Sequence, residues 1–382
     1  MIELLILVIK LLVVFNIIMG LASVCTWIER KGSALIQDRI GANRAGAFVH
    51  TDNIFLKPAF FVVRWMGILG VINTLLCDGI KALLKEDFIP EGVSNFIHCL
   101  APFMAVFPIF VAFALIPIAP DFELFGYYIR PQIATLDAGV LFIFAMGSIS
   151  VYGVAFAGWT GNNKFSLLGG LRASAQMISY EIAMGISLVT IVVVYGTMDL
   201  YEIVEKQWHG LGIFQTITQP ITFVVLFIVG MAETKRGPFD LPESESELAA
   251  GYFTEYSGMK FLIFWLGEFA EIALFAILLV LLFFGGWRGG EYPVTLAIDG
   301  VNGLLAYATE LKIPHIPAHS WIWALIGHVV LMTKVLFFCV LQIVIRWTLP
   351  RFRYDQLMNL GWKILLPVSL VNLMITAFLV IY

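Results

Sequence analysis

The sequence predicts an all-α integral membrane protein with about eight transmembrane helices and one amphipathic helix at the cytoplasmic interface. Of the 382 residues, 60% are hydrophobic and 13% are charged, and the mean hydropathy is +0.91. Soluble domains are typically about 25% charged. Eight apolar runs reach the roughly 20 residues that a helix needs to cross the hydrocarbon core. The runs lack an alternation of period two, which argues against membrane-spanning strands.

The predicted spans make the whole chain, residues 1–382, a single membrane domain. They are residues 4–27, 95–118, 137–158, 173–196, 214–233, 260–284, 320–346 and 361–381. Lys and Arg accumulate in the cytoplasmic loops of membrane proteins. Of the 23 Lys and Arg residues, 17 lie in or beside the first, third, fifth and seventh loops. This distribution predicts that those loops are cytoplasmic and that both termini are periplasmic.

The first of these loops, residues 29–94, is unusually long. Residues 70–85 place apolar side chains at helical spacing but include three charged ones, which predicts an amphipathic helix at the membrane surface. Residues 53–76 are also apolar. A further span there would reverse every later loop and remove the asymmetry of Lys and Arg, so it is not predicted. The sixth loop, residues 285–319, is rich in Gly and Pro and is predicted to be external.

An acidic loop, residues 233–258, lies between two strongly apolar runs. Pro238 and Pro242 prevent a helix from continuing through it, because Pro lacks an N–H group and restricts the residue before it. A charge run is usually a solvated surface. Here aromatic and aliphatic side chains are interleaved with the acids, so we expect the loop to be buried against protein.

Ionisable side chains also occur within the predicted spans, where charge is costly and typically functional. Glu181 lies in the fourth span, Glu233 closes the fifth and Glu268 lies in the sixth. Clustered carboxylates in a low-dielectric site bind protons more tightly than exposed ones. The set therefore predicts a proton path. A structural and a functional role are equally open for three further residues: Asp137, Glu271 and Lys334.

The first loop carries basic side chains of the opposite character. Arg30, Arg39 and Arg44 can hold carboxylates or the polar head of a ligand. Arg39, between two apolar stretches, is the best candidate for a buried role, although anchoring to the cytoplasmic side is the simpler alternative. The four cysteines and six histidines are dispersed, which predicts neither a zinc site nor an iron–sulfur cluster nor a haem. Nothing in the sequence predicts nucleic-acid binding.

Four specific motifs extend over nearly the whole chain. They are ERK with QDRIGANRAG, GWTGNNKFSLLGGLRASAQMISYE, PFDLPESESEL with GYFTEY, and PRFRYDQLMNLGWKILLP. In this order they resemble the family of quinone-chamber membrane subunits of respiratory complex I (NADH–quinone oxidoreductase). The sequence departs from that pattern by an apparent insertion near residues 48–65.

The resemblance implies a quinone substrate, ubiquinone or menaquinone, and no redox centre in this chain. Electrons would come from the terminal iron–sulfur cluster of a peripheral-arm partner. Small and antiporter-like membrane subunits would be further partners in a bacterial inner membrane. It implies a proton relay of Glu181, Glu233, Glu243, Glu245, Glu255 and Glu268. It implies a quinone chamber lined by Arg30, Arg39, Asp78, Arg236, Phe239 and Asp240.

Two alternatives remain open. One is the membrane anchor of a related membrane-bound hydrogenase, which acts on protons rather than quinone. The other is a stand-alone secondary transporter, for which an internal repeat with broken helices would be expected. No such repeat is visible in the sequence.

Overall fold

The computed structural model describes residues 2–41, 77–124, 126–207, 211–242, 244–289 and 320–381. The apparent insertion near residues 48–65, the apolar stretch 53–76 and most of loop 285–319 lie outside these residues. The regular secondary structure of the described part is helical apart from one small hairpin, β1 (Phe122–Leu124) and β2 (Tyr127–Ile129).

Twelve helices account for most of the described residues. They are α1 (Ile2–Ile36), α2 (residues 77–84), α3 (Asn95–Phe113), α4 (Gly139–Thr160), α5 (Lys164–Tyr195), α6 (Leu200–Lys206), α7 (Gln219–Glu233), α8 (Glu245–Leu248), α9 (Gly258–Phe283), α10 (Trp321–Thr348), α11 (Tyr354–Asn359) and α12 (Leu366–Ile381). Short 3₁₀ turns occupy Gly212–Phe214 and Gly251–Phe253, and a π-helical turn, Leu360–Leu365, joins α11 to α12.

Seven of the described helical segments are long and apolar enough to cross a membrane, counting Tyr354–Ile381 as one. The predicted class, an all-α integral membrane protein, is therefore confirmed. The remaining predicted span, the fifth (residues 214–233), corresponds to α7, which has only 15 residues and a length of about 22 Å. It is shorter than expected because Pro220 lies in its first turn, where a helix tolerates Pro, and a separate 3₁₀ turn, Gly212–Phe214, occupies the chain just upstream. Its last residue is Glu233.

Side-chain capping explains why α5 begins well before its apolar run. The Asn163 side chain accepts a hydrogen bond from the Phe165 N–H at 3.0 Å, which satisfies one free donor of the first turn. At the other end, Gly196 adopts φ +66°, the left-handed conformation that commonly ends a helix. The helix consequently begins at Lys164, nine residues before the predicted start at residue 173. Its polar first turns therefore reach the acidic loop.

The helices alternate between two ends of the bundle. We call the end that carries residues 234–257 the loop end, and the end that carries β1 and β2 the hairpin end. The first turns of α1 and the last turns of α12 lie towards the hairpin end, where the Lys10 ammonium donates to the Gln132 carbonyl at 3.0 Å and the Thr376 hydroxyl donates to Thr218 at 2.8 Å. At the loop end, α2 exposes Leu83 and Leu84, as expected of an amphipathic helix whose apolar face meets lipid.

The core is built around α9, in which nearly every side chain from Phe264 to Phe283 is buried. Small residues let neighbouring helices approach closely, as is usual between membrane helices. A Cβ atom at Gly230 of α7 would lie 1.7 Å from the Phe275 ring of α9. The loop-end half of α9 presents Glu268 and Glu271 to the same neighbours.

At the hairpin end, the side chains of Gln207 and Lys334 donate to carbonyl groups of the last turn of α9 and of the turn after it. Arg288, in that turn, donates to the last carbonyl groups of α6. The three side chains act together. We call these the hairpin-end cap. The Lys334 ammonium donates to the carbonyls of Phe284, Gly286 and Arg288 at 2.7, 3.0 and 2.7 Å. A cation at a helix C-terminus is favourable. Of the two roles left open for Lys334, these contacts favour the structural one.

Candidate functional site

The acidic loop folds against the bundle. Its apolar side chains Phe239, Leu241, Leu248, Tyr252, Phe253 and Tyr256 are buried, which confirms the predicted burial. Gln176 of α5 holds the first half of the loop in place. Its side-chain amide donates to the carbonyls of Ala232 and Phe239 at 2.7 and 2.9 Å.

Seven ionisable side chains meet where this loop crosses α1, α9 and α10. This loop-end charge cluster comprises Glu29, Glu233, Lys235, Arg236, Glu268, Glu271 and Arg346. Arg236 lies at its centre. The guanidinium is 3.1 Å from a carboxylate oxygen of Glu29 and 3.1 Å from one of Glu268, and it lies 4.3 Å above the Phe269 ring. A planar guanidinium suits this arrangement because its donors point in several fixed directions.

Two further contacts surround the carboxylates that Arg236 holds. Arg346 forms an ion pair with Glu29 from the opposite side. The Tyr252 hydroxyl lies 3.1 Å from the other carboxylate oxygen of Glu268. Glu268 is therefore held jointly by a loop tyrosine and a loop arginine, so a change in the loop reaches this carboxylate directly.

A second buried ion pair lies next to these contacts of Arg236. The Lys235 ammonium is 3.4 Å from a Glu271 oxygen, and both side chains are almost fully enclosed. Burial disfavours the charged ammonium, but the charges of Glu271, Glu268 and Glu233 outweigh it and raise the pKa of Lys235. The Lys235 backbone has φ +54°, a left-handed conformation that costs a residue with a Cβ atom about 1–2 kcal/mol.

Glu233 completes the cluster without an ion pair among the described residues. It is buried at the end of α7, and its Oε2 atom has no hydrogen-bond partner in the described part of the chain. Glu233, Thr234 and Glu271 line one side of a cavity of about 70 Å³ whose other walls are apolar. Cavities with several polar partners are the ones that hold buried water.

The remaining predicted relay residues are more dispersed. Glu181 of α5 is half-buried and accepts a hydrogen bond from Ser148 of α4. Glu255 accepts one from the Asn163 amide at 2.9 Å. Glu243 and the side chain of Glu245 lie outside the described residues. The structure thus brings Glu233 and Glu268 into one cluster and leaves Glu181 and Glu255 on its flanks.

The predicted chamber residues fall into two groups around the cluster. In the first, Arg30 forms an ion pair with Asp78 of α2 at 2.8 Å, and its guanidinium lies 5.2 Å from the Trp265 ring. Arg39, for which a buried role was expected, is instead exposed. It donates to the Gln37 side chain at 2.7 Å, and α1 ends before it at Ile36, so no helix carries it back towards the core.

The second group contains Phe239 and Asp240. Asp240 accepts from Arg351 at 2.8 Å. Burial raises the pKa of Asp240, and the Arg351 guanidinium opposes that shift without cancelling it. Phe239 is buried between Tyr180, at 5.9 Å between ring centroids, and Phe352, at 5.4 Å. Its ring therefore packs against this chain itself and fixes the position of Asp240.

Several residues of the site were not predicted as such. They are Glu29, Lys235, Tyr252, Arg346 and Arg351; for Glu271 the sequence left a structural and a functional role equally open. Arg346 and Arg351 contribute to the excess of basic residues in the predicted cytoplasmic loops. That excess accounts for them in the sequence without any ion pair, so their pairs were not predicted. Glu29 stands in the first motif, ERK, beside two basic residues, and nothing local shows that its partners are more than 200 positions away.

Comparison with known proteins assigns the family. The family model for NADH dehydrogenase matches residues 9–377. The chain belongs to this family. The NADH-quinone oxidoreductase H subunit of Protochlamydia amoebophila is 42% identical over 358 residues, which cover 94% of this chain and 92% of that protein.

Further members of the family cover the chain as completely. One NADH-quinone oxidoreductase H subunit of Syntrophobacter fumaroxidans is 39% identical over 97% of this chain and 95% of its own length. NADH-quinone oxidoreductase subunit 8 of Rhodothermus marinus is 40% identical over 95% of this chain and 94% of its own length. The family predicted from the four motifs is therefore confirmed, and these relatives are named as subunits of an oxidoreductase.

Proposed function

We propose that this chain is the membrane subunit of an NADH–quinone oxidoreductase that binds the quinone and links its reduction to proton translocation. The observation that carries the proposal is Arg236. One buried guanidinium holds two carboxylates from different helices, Glu29 of α1 and Glu268 of α9, and it belongs to the loop that also carries Asp240. Such a guanidinium can exchange one carboxylate for a negative charge on a reduced quinone head.

The chemistry follows from electrostatics. Two unit charges about 4 Å apart interact by about 4 kcal/mol at an effective dielectric constant of 20. A negative charge that arrives beside Arg236 therefore competes directly with Glu268. Glu268 then loses its cation while it remains buried, and a buried carboxylate without a cation takes up a proton. The two-electron reduction of the quinone is thereby converted into a protonation change in α9.

The proposed relay continues from Glu268 to Glu233 and then to Glu181. The charges of Glu271 and Glu181 both act on Glu233, and the cavity shared with Glu271 offers a place for water-mediated transfer. Glu181 lies on a half-buried face of α5. Neighbouring small or antiporter-like membrane subunits would receive the signal there. Glu243, Glu245 and Glu255 would contribute from the loop.

The quinone chamber is proposed at the loop end, beside Arg30, Asp78, Arg236, Phe239 and Asp240. Phe239 acts there by holding the loop and Asp240 in position, and Arg39 by contact at the exposed mouth. Ubiquinone or menaquinone is the substrate. A peripheral-arm partner with the terminal iron–sulfur cluster supplies the electrons, and this chain contributes no redox centre. The complex is placed in a bacterial inner membrane with the loop end cytoplasmic and both termini periplasmic.

Photolabelling of the intact complex with an azidoquinone tests the position of the substrate. We expect labelled peptides from residues 29–39 and 236–242, and we expect an excess of the natural quinone to prevent their labelling. Peptides from the hairpin end, such as residues 199–207, serve as an internal control and should stay unlabelled. Labelling that is confined to the hairpin end or to other subunits would contradict the proposed chamber.

The orientation is tested by single cysteines on the two ends of the bundle. Glu202 of α6 is exposed at the hairpin end and Glu247 of α8 is exposed at the loop end. In a variant without the native cysteines, Glu202→Cys should react with an impermeant maleimide only from the periplasm. Glu247→Cys should react only from the cytoplasmic side after the peripheral arm has been removed. The reverse pattern would overturn the orientation.

A further inference from the structure

Lys235 has no part in the relay described so far, although it is buried beside the relay and paired with Glu271. Lys235 comes from the loop and Glu271 from α9, so the pair links the two elements independently of Arg236. Both side chains are almost completely enclosed. A buried ammonium is rare unless it is paired, and here the left-handed backbone of Lys235 adds a conformational cost. Because Lys235 has both a buried ammonium and an unfavourable backbone conformation, it is a candidate for a specific role.

The charges in the cluster do not balance. Among the described residues, its ion pairs join Glu29, Glu268 and Glu271 to three cations, Lys235, Arg236 and Arg346. Glu233 is the fourth carboxylate. The adjacent pair Asp240–Arg351 is neutral and leaves this count unchanged. One carboxylate is therefore left without a cation, and in a low-dielectric site that carboxylate is the one that holds a proton.

The geometry identifies which carboxylate this is. Glu271 has Lys235, and Glu268 has Arg236 and the Tyr252 hydroxyl. Glu233 has an oxygen without a described partner and lines the cavity into which Glu271 also reaches. Lys235 is thus the group that decides whether Glu233 or Glu271 carries the excess proton.

Building on the function proposed above, we propose that Lys235 is a positioning residue of the relay, because its ammonium neutralises Glu271 and so confines the exchangeable proton to Glu233. Without Lys235, Glu233 and Glu271 would face the same cavity as two uncompensated carboxylates. They would then share and retain protons, and the proton would no longer pass on towards Glu181. Glu268 and Glu29 stay paired with Arg236, so the defect would be confined to the Glu233–Glu271 side.

Two variants of the intact complex separate this charge effect from folding. Lys235→Asn removes the ammonium, and Asn tolerates the left-handed backbone better than most residues. The double variant Lys235→Asn/Glu271→Gln removes both members of the pair and restores the original charge excess of one. Lys206→Asn is the matched control, because it removes an ammonium from an exposed ion pair with Glu202.

We expect Lys235→Asn to lower coupled quinone reduction at least tenfold, and the double variant to recover to within threefold of the unmodified complex. Infrared difference spectra against Glu233→Gln should show one protonated carboxylic acid in the unmodified complex and a second one in Lys235→Asn at neutral pH. The second band should be absent from the double variant. Lys206→Asn should change neither quantity.

Wild-type turnover and an unchanged infrared spectrum in Lys235→Asn would overturn the proposal. A double variant that is no better than the single one would overturn it too, as would failure of both variants to assemble. Assembly of the double variant alone would support it. The infrared result does not depend on where quinone binds. Failure of the azidoquinone experiment would therefore refute the chamber and leave the role of Lys235 to be judged separately.

Discussion

The loop-end charge cluster and the hairpin-end cap are the two ends of one helix, α9, and they use charged side chains in opposite ways. At the hairpin end, Lys334 and Arg288 each donate to main-chain carbonyls, which never change their charge. At the loop end, Arg236 and Lys235 face carboxylates, which can gain or lose a proton. The first arrangement fixes the helix in position. The second leaves one carboxylate in excess and can therefore respond to a new charge.

The largest expected effect comes from removing the centre of the loop-end cluster. Arg236→Met leaves Glu29 and Glu268 with less compensation in a buried site. Breaking a buried ion pair in this way typically costs about 3–5 kcal/mol, so we expect little assembled complex and no coupled quinone reduction. Arg236→Lys, which keeps the charge but loses the fork of donors, should assemble and work slowly. Native gels of solubilised membranes and quinone reductase assays measure both.

Wild-type assembly and turnover in Arg236→Met would show that the cluster is dispensable. The contrast between the two ends of α9 would then carry no functional meaning.

The second prediction distinguishes the structural role of the hairpin-end cap from the charge response of the loop-end cluster. Lys334→Met leaves three carbonyl groups of the hairpin-end cap without their donor, and a buried polar group without a partner costs about 1–3 kcal/mol. We expect the thermal unfolding temperature of the complex to fall. Turnover per assembled complex should stay the same, because no group in the relay changes. Thr333→Val, on the neighbouring exposed position of α10, is the control and should alter neither value.

Loss of turnover in Lys334→Met at full assembly would contradict the assignment of a purely structural role to this end.

The smallest expected effect concerns two Asp–Arg pairs of the same chemistry. In the pair Asp240–Arg351 the Asp240 side chain is largely buried, whereas in the pair Asp355–Arg353 both side chains are exposed. Exposed pairs contribute roughly 0–1 kcal/mol. We expect Asp240→Asn to lower turnover several-fold with little change in the apparent KM for quinone, and Asp355→Asn to change nothing. Steady-state kinetics with a water-soluble quinone compare the two, and equal behaviour would show that burial of the pair is irrelevant.

The sequence predicts the membrane helices well because their signal is local. The apolar runs, the prolines of the acidic loop and the burial of its aromatic residues all follow from neighbouring positions. The span that deviates most is α7, in which Pro220 and a 3₁₀ turn shorten the helix to 15 residues. Helix starts are also shifted where a polar cap extends them, as Asn163 does for α5.

The cluster is less predictable because its contacts are not local. Glu233 and Glu268 are recognisable as acids at membrane depth. The cations of the cluster come from the loop and from α10, and the pairing of Glu29 with Arg346 spans 317 positions. Phe239 looks like a ligand-facing aromatic residue in the sequence. Only the fold shows that Tyr180 and Phe352 enclose it.

Proton translocation by the Glu233→Gln complex tests the relay most directly. Gln keeps the size and much of the hydrogen bonding of Glu but cannot carry a proton. In proteoliposomes, the variant should assemble fully and lose at least nine-tenths of its NADH-driven proton translocation, and Glu181→Gln should be impaired in the same way. Glu202→Gln, in an exposed pair at the hairpin end, should translocate protons normally. Normal translocation by both Glu233→Gln and Glu181→Gln would show that these carboxylates are structural and that no proton passes through this chain by the proposed path.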